Sequence, residues 1–339
     1  MNAACILGCS GTALTPEETA FFDDVRPWGF ILFRRNIESP DQVRGLTASL
    51  RAILGRPDAP ILIDQEGGRV QRLGPPHWRR YPPARAFGDL PGDFETCASM
   101  ARLGARLMAH DLANVGINVD CLPVLDTPSP GAHDIIGDRA YGDDPGTVAV
   151  LGRAAAEGLI AGGVLPVVKH IPGHGRAGAD SHLALPVVGA DAMALRNRDF
   201  APFRALADLP VAMTAHVVYA AIDGSHPATT SAIVIKDVIR GHIGFDGLLM
   251  SDDLSMRALC GDLAERARDA LAAGCDVVLH CNGDMAEMHQ VTAAAGPLVG
   301  RPAARAAAAL ARLPKQPEPF DVAAGRARFE AAFAGRWAA

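Results

Sequence analysis

Residues 169–182 read KHIPGHGRAGADSH, gathering three histidines, a lysine and an aspartate around three glycines and a proline. His170 and His174 are four apart, but Pro172 and the flanking glycines exclude the helix that would set both imidazoles on one face. Asp180 and His182 are two apart, a spacing that lets a carboxylate hold and polarise an imidazole where the backbone is extended. The glycines make a loop that can move over a pocket. Three chemistries stay open for this stretch: a metal site, an acid–base loop, or a polar loop without chemistry.

Other polar residues collect where apolar runs end. One run ends in Asp64 and continues as QEGGRVQR, which contains Arg72; another ends at Asp126 and leads to GDR at 137–139, which contains Arg139. Others end in Lys169-His170, His216, Ser251-Asp252-Asp253 and His280. Taken singly, Asp64 and Asp126 read as caps or turn residues, Arg72 and Arg139 as ion-pair partners, and His216 and His280 as packed core-edge histidines. Asp138, Asp143 and Asp144 read as loop acids. Together the run ends point to a pocket, because charge at the end of a buried strand is costly unless it lines a polar cavity. Successive strand residues face opposite ways, so only one of Asp252 and Asp253 is expected to face such a pocket. Both faces of that run are apolar, and parity does not choose. A carboxylate there could serve as a glycosidase nucleophile, a metal ligand or a general base.

The elements that must position these groups are short Val/Ile/Leu-rich runs separated by helix-like segments, the pattern of parallel strands buried on both faces. There are eight, at 4–9, 30–33, 60–64, 117–126, 164–170, 210–216, 247–253 and 275–281. Eight such units predict an α/β fold of (β/α)8 barrel type, whose active site lies at the C-terminal ends of the strands. An open doubly wound sheet is the alternative, since periodicity does not show closure. Helices are expected at 40–53, opened by Pro40 and Asp41, at 95–114, and across SAIVIKDVIRGHIG with a serine cap and an end near Gly244. The expected organisation is one domain, a catalytic barrel over 1–300 with C-terminal helices over 301–339 packed on it.

The chain has 339 residues, 49% hydrophobic, with a net charge of −6. That is enough for a large core, and the lack of a Lys/Arg stripe argues against a nucleic-acid partner. The seven cysteines, odd in number and mostly in apolar runs, read as reduced core residues of a cytoplasmic protein. No apolar run reaches the roughly 18 residues of a membrane span, and only eight residues precede Cys9, too few for a signal peptide.

With these motifs in this order, the sequence resembles the bacterial β-N-acetylhexosaminidases of glycoside hydrolase family 3, in particular their single-domain cytoplasmic type of peptidoglycan recycling. The resemblance rests on DQEGGRVQRL, GDRAYG, KHIPGHG followed by DSH, and MSDDLSM, and runs from about residue 28 to 285. Two departures are Ile171, where an aromatic is usual, and His280, where an apolar residue is expected; neither touches the motif chemistry, and whether His280 alters the polarity of the pocket is left open by the sequence. The resemblance implies a (β/α)8 barrel that removes terminal N-acetylglucosamine with retention of configuration. It implies Asp252 as nucleophile, His182 as general acid/base and Asp180 as the partner of His182. Asp64, Arg72, Arg139, Lys169 and His170 match the pocket that holds the sugar. It implies no cofactor and no metal; the partner is a small carbohydrate, muropeptide fragments above all, with no membrane or nucleic acid, and the chain is expected to be a monomer. Two rivals remain: a metal-dependent barrel hydrolase using His170, His174, His182 and an Asp, and a barrel that binds N-acetylglucosamine without cleaving it.

Overall fold

The computed structural model describes residues 1–181 and 183–334. Eight parallel strands close into a barrel: β1 (Ala3–Gly8), β2 (Pro27–Leu32), β3 (Ile61–Ile63), β4 (Val119–Asp120), β5 (Leu165–Ile171), β6 (Val211–Thr214), β7 (Leu248–Asp253) and β8 (Val277–His280). Each strand pairs with its neighbours in chain order, and β1 closes the ring on β8 with Cys5 opposite Val278. The open sheet is thereby excluded.

All eight strands fall inside the expected apolar runs or overlap them. The largest difference is β4, which is far shorter than the run 117–126. Pro123 has no N–H to donate, so regular pairing stops there. The chain nevertheless keeps alongside β5, with Leu125 N–H donating to the Lys169 carbonyl at 2.7 Å.

Side-chain alternation divides the core into two layers. Ile6, Ile31, Leu62, Val119, Leu165, Val167, Val211, Met213, Leu248, Met250, Val277 and Leu279 fill the barrel. Their sequence neighbours Leu7, Phe30, Ile63, Val168, Ala212, Leu249 and Val278 face outward into the layer shared with the helices.

The helices start where the sequence supplies caps. Ser39 caps Pro40–Leu54 by accepting from Gln42 N–H, Asp93 caps Phe94–Ala113 by accepting from Thr96 N–H, and the Ser231 hydroxyl accepts from Val234 N–H at 3.1 Å. That third segment ends beside Gly244, whose φ of +78° suits glycine. The helix Gly300–Leu310 sets Ala306 and Ala309 against Trp28 and Leu298, sealing the barrel at the N-terminal ends of its strands. Arg305 and Arg240 clamp the buried Asp276 at 2.9 and 2.8 Å, fixing that helix to the base of β7 and β8. The helix Val322–Phe333 packs Phe329 and Phe333 on Phe87 at 6.0 and 5.2 Å. Among the described residues no helix is long and apolar enough to cross a membrane.

Candidate active site

The alternation that fills the barrel also builds the site. One step beyond the inward-facing Ile31, Leu62, Val167, Met250 and Leu279 come Phe33, Asp64, Lys169, Asp252 and Cys281, and these line a cavity of about 210 Å³ at the C-terminal mouth. Its floor is apolar, made by Ile31, Met213 and Leu279.

On one side the wall is a chain of alternating charges. Arg72 Nη2 donates to Asp64 Oδ2 at 3.0 Å, and Lys169 Nζ donates to Asp64 Oδ1 at 2.9 Å. Lys169 Nζ also lies 2.6 Å from Glu66 Oε1, and Arg139 closes the chain on Glu66 with two bonds of 2.8 Å. Burial opposes ionisation of Asp64, but Lys169 and Arg72 hold its carboxyl far below the usual range. Burial likewise opposes ionisation of Glu66, which Arg139 and Lys169 hold low. The Lys169 ammonium is disfavoured by burial, yet Asp64 and Glu66 keep it above its ordinary value. The sequence reading had named Asp64, Arg72, Arg139 and Lys169 but not Glu66. Its signal was the second acid of DQEGG, two residues after Asp64 and so on the same face of an extended backbone.

A local hairpin holds these groups. Gln65–Gly67 pairs antiparallel with Val70–Gln71 around Gly67 and Gly68, both at positive φ. A β-carbon on Gly67 would stand 2.2 Å from the Pro82 carbonyl oxygen, so glycine is required. The Gln65 side-chain oxygen accepts from the N–H groups of Arg72 and Leu73, each at 3.0 Å, fixing the backbone that carries Arg72.

Lys169 and His170, joined by a cis peptide, both line the cavity. His170 Nδ1 lies 2.7 Å from the buried Asp126 Oδ2, and Asp126 Oδ1 accepts from the His170 and His174 N–H groups at 3.2 and 2.7 Å. The His174 ring stands edge-on to His170 at 5.7 Å and also lines the cavity. Burial, reinforced by His170, pushes His174 down to about 4.

The two carboxylates of β7 correct the parity expectation. Asp252 is in phase with Leu248 and Met250, yet Asp253 also lines the cavity. A register shift makes this possible: Met250 pairs with Val277 and Asp253 with Leu279, so β7 spends one more residue than β8 over the same span. The two acids are differently committed. Asp253 accepts from Ser255 N–H at 3.1 Å, from the Ser255 hydroxyl at 2.6 Å and from Cys281 N–H at 3.2 Å. Asp252 accepts from the Asp253 N–H at 2.8 Å. Burial opposes its ionisation, but His216, His170, that N–H and Lys169 hold the carboxyl below its ordinary value.

The glycine-rich loop reaches the same cavity through Ser181, whose carbonyl accepts from Ala258 N–H, in the loop after β7, at 3.2 Å. Asp180 precedes it, its carbonyl accepting from the N–H groups of Leu183 and Ala184. His182 lies outside the described residues. His216 is fully buried, with Nδ1 2.7 Å from the Thr229 hydroxyl and Nε2 3.0 Å from the Asp253 carbonyl, a packed histidine as expected. His280 is likewise a packed histidine and does not line the cavity: because Leu279 faces the barrel, His280 points outward, where Nε2 meets Glu287 Oε2 at 2.8 Å. Among the described residues no group of three or more His, Cys, Asp or Glu is arranged to hold a metal ion.

The glycosyl hydrolase family 3 N-terminal domain matches residues 16–313 of this chain. The chain is 41% identical over 285 residues to a beta-hexosaminidase of Pseudomonas aeruginosa (strain LESB58), covering 83% of each protein. Among solved structures it resembles native NagZ of Neisseria gonorrhoeae, with a TM-score of 0.84 and 34% identity, covering 98% of this chain and 96% of that one. It also resembles that organism's NagZ in complex with N-trifluoroacetyl-D-glucosamine, with a TM-score of 0.81 and 32% identity over 98% of both chains. An ionised acid, a wall of paired charges and this kinship agree: the chain belongs to glycosyl hydrolase family 3 and is a glycoside hydrolase of the beta-hexosaminidase kind.

Proposed function

We propose that the chain is a retaining exo-β-N-acetylglucosaminidase. The observation that carries this reading is Asp252, its carboxyl held below its ordinary value, facing across one small cavity the charged wall formed by Asp64, Glu66, Arg72, Arg139 and Lys169. Sugar hydroxyls demand many directed hydrogen bonds, and charged, planar donors and acceptors supply them. A cavity of about 210 Å³ suits one terminal ring rather than the middle of a polymer. The similarity to a protein solved with N-trifluoroacetyl-D-glucosamine supports an N-acetylated sugar.

In the first step Asp252 attacks the anomeric carbon as His182, in its protonated form, gives its proton to the departing glycosidic oxygen. The bond to the leaving group breaks as the bond to the carboxylate oxygen forms. In the second step neutral His182 takes a proton from water, whose oxygen attacks the same carbon and frees Asp252, so the configuration is retained. Asp180 orients the imidazole and raises its basicity. Asp64, Arg72, Arg139, Lys169 and His170 hold the sugar. The substrates in this reading are muropeptide fragments in cell-wall recycling in the cytoplasm. The enzyme works as a monomer, and residues 301–334 serve as a helical extension of the barrel over 1–300, residues 335–339 lying outside the described residues.

The test is hydrolysis of a chromogenic aryl N-acetyl-β-glucosaminide, followed by trapping with a fluoro sugar and mass spectrometry of the labelled peptide. Label on Asp252 is the expected result. Label on Asp253, or chromophore release that stops when metal is chelated, overturns the mechanism. No release at all from well-folded protein leaves only a sugar-binding barrel.

A further inference from the structure

We infer that Asp126 is a positioning residue: one buried carboxylate sets which nitrogen of His170 faces the sugar and, through the His174 N–H, anchors the root of the glycine-rich loop. The inference rests on reading His170 as a sugar-binding group. Asp126 is fully buried and is not part of the cavity wall, so it acts through its neighbours. Its carboxylate takes His170 Nδ1 at 2.7 Å, His170 N–H at 3.2 Å and His174 N–H at 2.7 Å. All three donors belong to the five residues 170–174, where β5 ends and the loop begins.

An ionised carboxylate can only accept, so whenever the His170 ring carries a single proton that proton sits on Nδ1. Nε2, on the far edge of the ring, is then the atom left for a ligand, as an acceptor for a sugar hydroxyl. An amide at 126 could still accept the two backbone N–H groups through its oxygen. Its –NH2 would then face Nδ1, and the imidazole would carry its proton on Nε2 instead. The same carboxylate oxygen that accepts from His170 N–H also accepts from His174 N–H, and His174 reaches the Ser181 hydroxyl at 3.4 Å. The sugar-holding imidazole and the loop that bears Asp180 thus share one anchor.

The experiment has two parts. Nitrogen-15 NMR of histidine-labelled protein, with the His170 resonance assigned by loss in His170→Gln, should show the Nδ1-protonated tautomer in the unaltered chain. An Nε2-protonated His170 there overturns the proposal without any variant at Asp126. Asp126→Asn should then shift the proton to Nε2 and raise KM for an aryl N-acetyl-β-glucosaminide by roughly 10–100-fold, the range found when carboxylates that orient metal-bound imidazoles are removed. In a His170→Ala background the same substitution should add far less to KM. Equal effects of Asp126→Asn in both backgrounds would show that Asp126 does not act through His170, and would overturn the assignment. If the unaltered protein cleaves nothing, the glycosidase reading fails while the tautomer and the binding constant for N-acetylglucosamine still test this one.

Discussion

Glu66 grips Arg139 at two points, with Arg139 Nε on Oε2 and Nη2 on Oε1, each at 2.8 Å. Lys169 stands 2.6 Å from the same Oε1, so one carboxylate separates two buried cations. Glu66→Ala should cost about 3–5 kcal/mol, because Arg139 loses its carboxylate partner in low dielectric and Lys169 loses one of the two carboxylates it meets among the described residues. Chemical denaturation checks the stability loss, and KM for an N-acetylglucosaminide should rise with it. An unchanged denaturation midpoint would show that the two cations do not depend on Glu66.

Asp252 and Asp253 share the rim but should fail differently. Asp252→Asn should remove turnover and leave the melting temperature near that of the parent, since among the described residues its carboxylate accepts from its neighbour's N–H, a bond that an amide oxygen can keep. Asp253→Asn should lower the melting temperature instead, because Ser255 and Cys281 lose a charged acceptor, worth about 1.5–3 kcal/mol per bond. Parallel calorimetry and initial rates separate the two, and the opposite pairing of effects would exchange their roles.

His174 should give the protein an acid-sensitive limb well above the carboxylate range. Its ordinary value is 6.5, and burial followed by His170 pushes it down to about 4, so the unfolded chain binds the extra proton between those two points. Stability therefore rises with pH in that window; it is complete above about 6.5 and lost as pH falls toward 4. The gap corresponds to about 3 kcal/mol. Denaturation measured between pH 4 and 7 should show this slope, and His174→Gln should flatten it. Below it the depressed carboxylates Asp64, Glu66, Asp126 and Asp252 act with the same sign, their contribution vanishing as pH drops through their folded values.

The far end of the barrel should matter for folding and not for rate. Asp276 is bound by Arg240, Arg305 and the Leu249 N–H at 2.8, 2.9 and 2.8 Å. Asp276→Ala should destabilise by about 3–5 kcal/mol while kcat and KM stay at parental values, as the cavity lies at the opposite, C-terminal mouth of the barrel and none of these residues lines it. A kinetic defect in protein that remains folded would contradict this separation of roles.

Most of this architecture is legible in the sequence, because strands buried on both faces announce themselves as unbroken apolar runs, and a closed parallel barrel must place their polar ends together. Asp64, Lys169 and His170 were found for that reason. Glu66 was not, since it lies past the strand in a hairpin whose extended course is set by Gly67, Gly68 and the Gln65 side chain rather than by an apolar pattern. The partnership of Asp126 with His170 joins residues 44 positions apart and leaves no trace in spacing. Alternation misled at Asp253 because one surplus residue in β7 restores a side chain to the face it had left, whereas at His280 alternation held and turned the imidazole away.

The helix that plugs the bottom of the barrel, together with the apolar floor above it, makes the cavity a cul-de-sac. Traffic in both directions has to use one doorway. Whatever ring sits deepest is the last to leave, and in the two-step reaction proposed above water must come in past the departing fragment. A guest that lingers there obstructs the next arrival, so the liberated monosaccharide is by geometry a competitor of its own precursor.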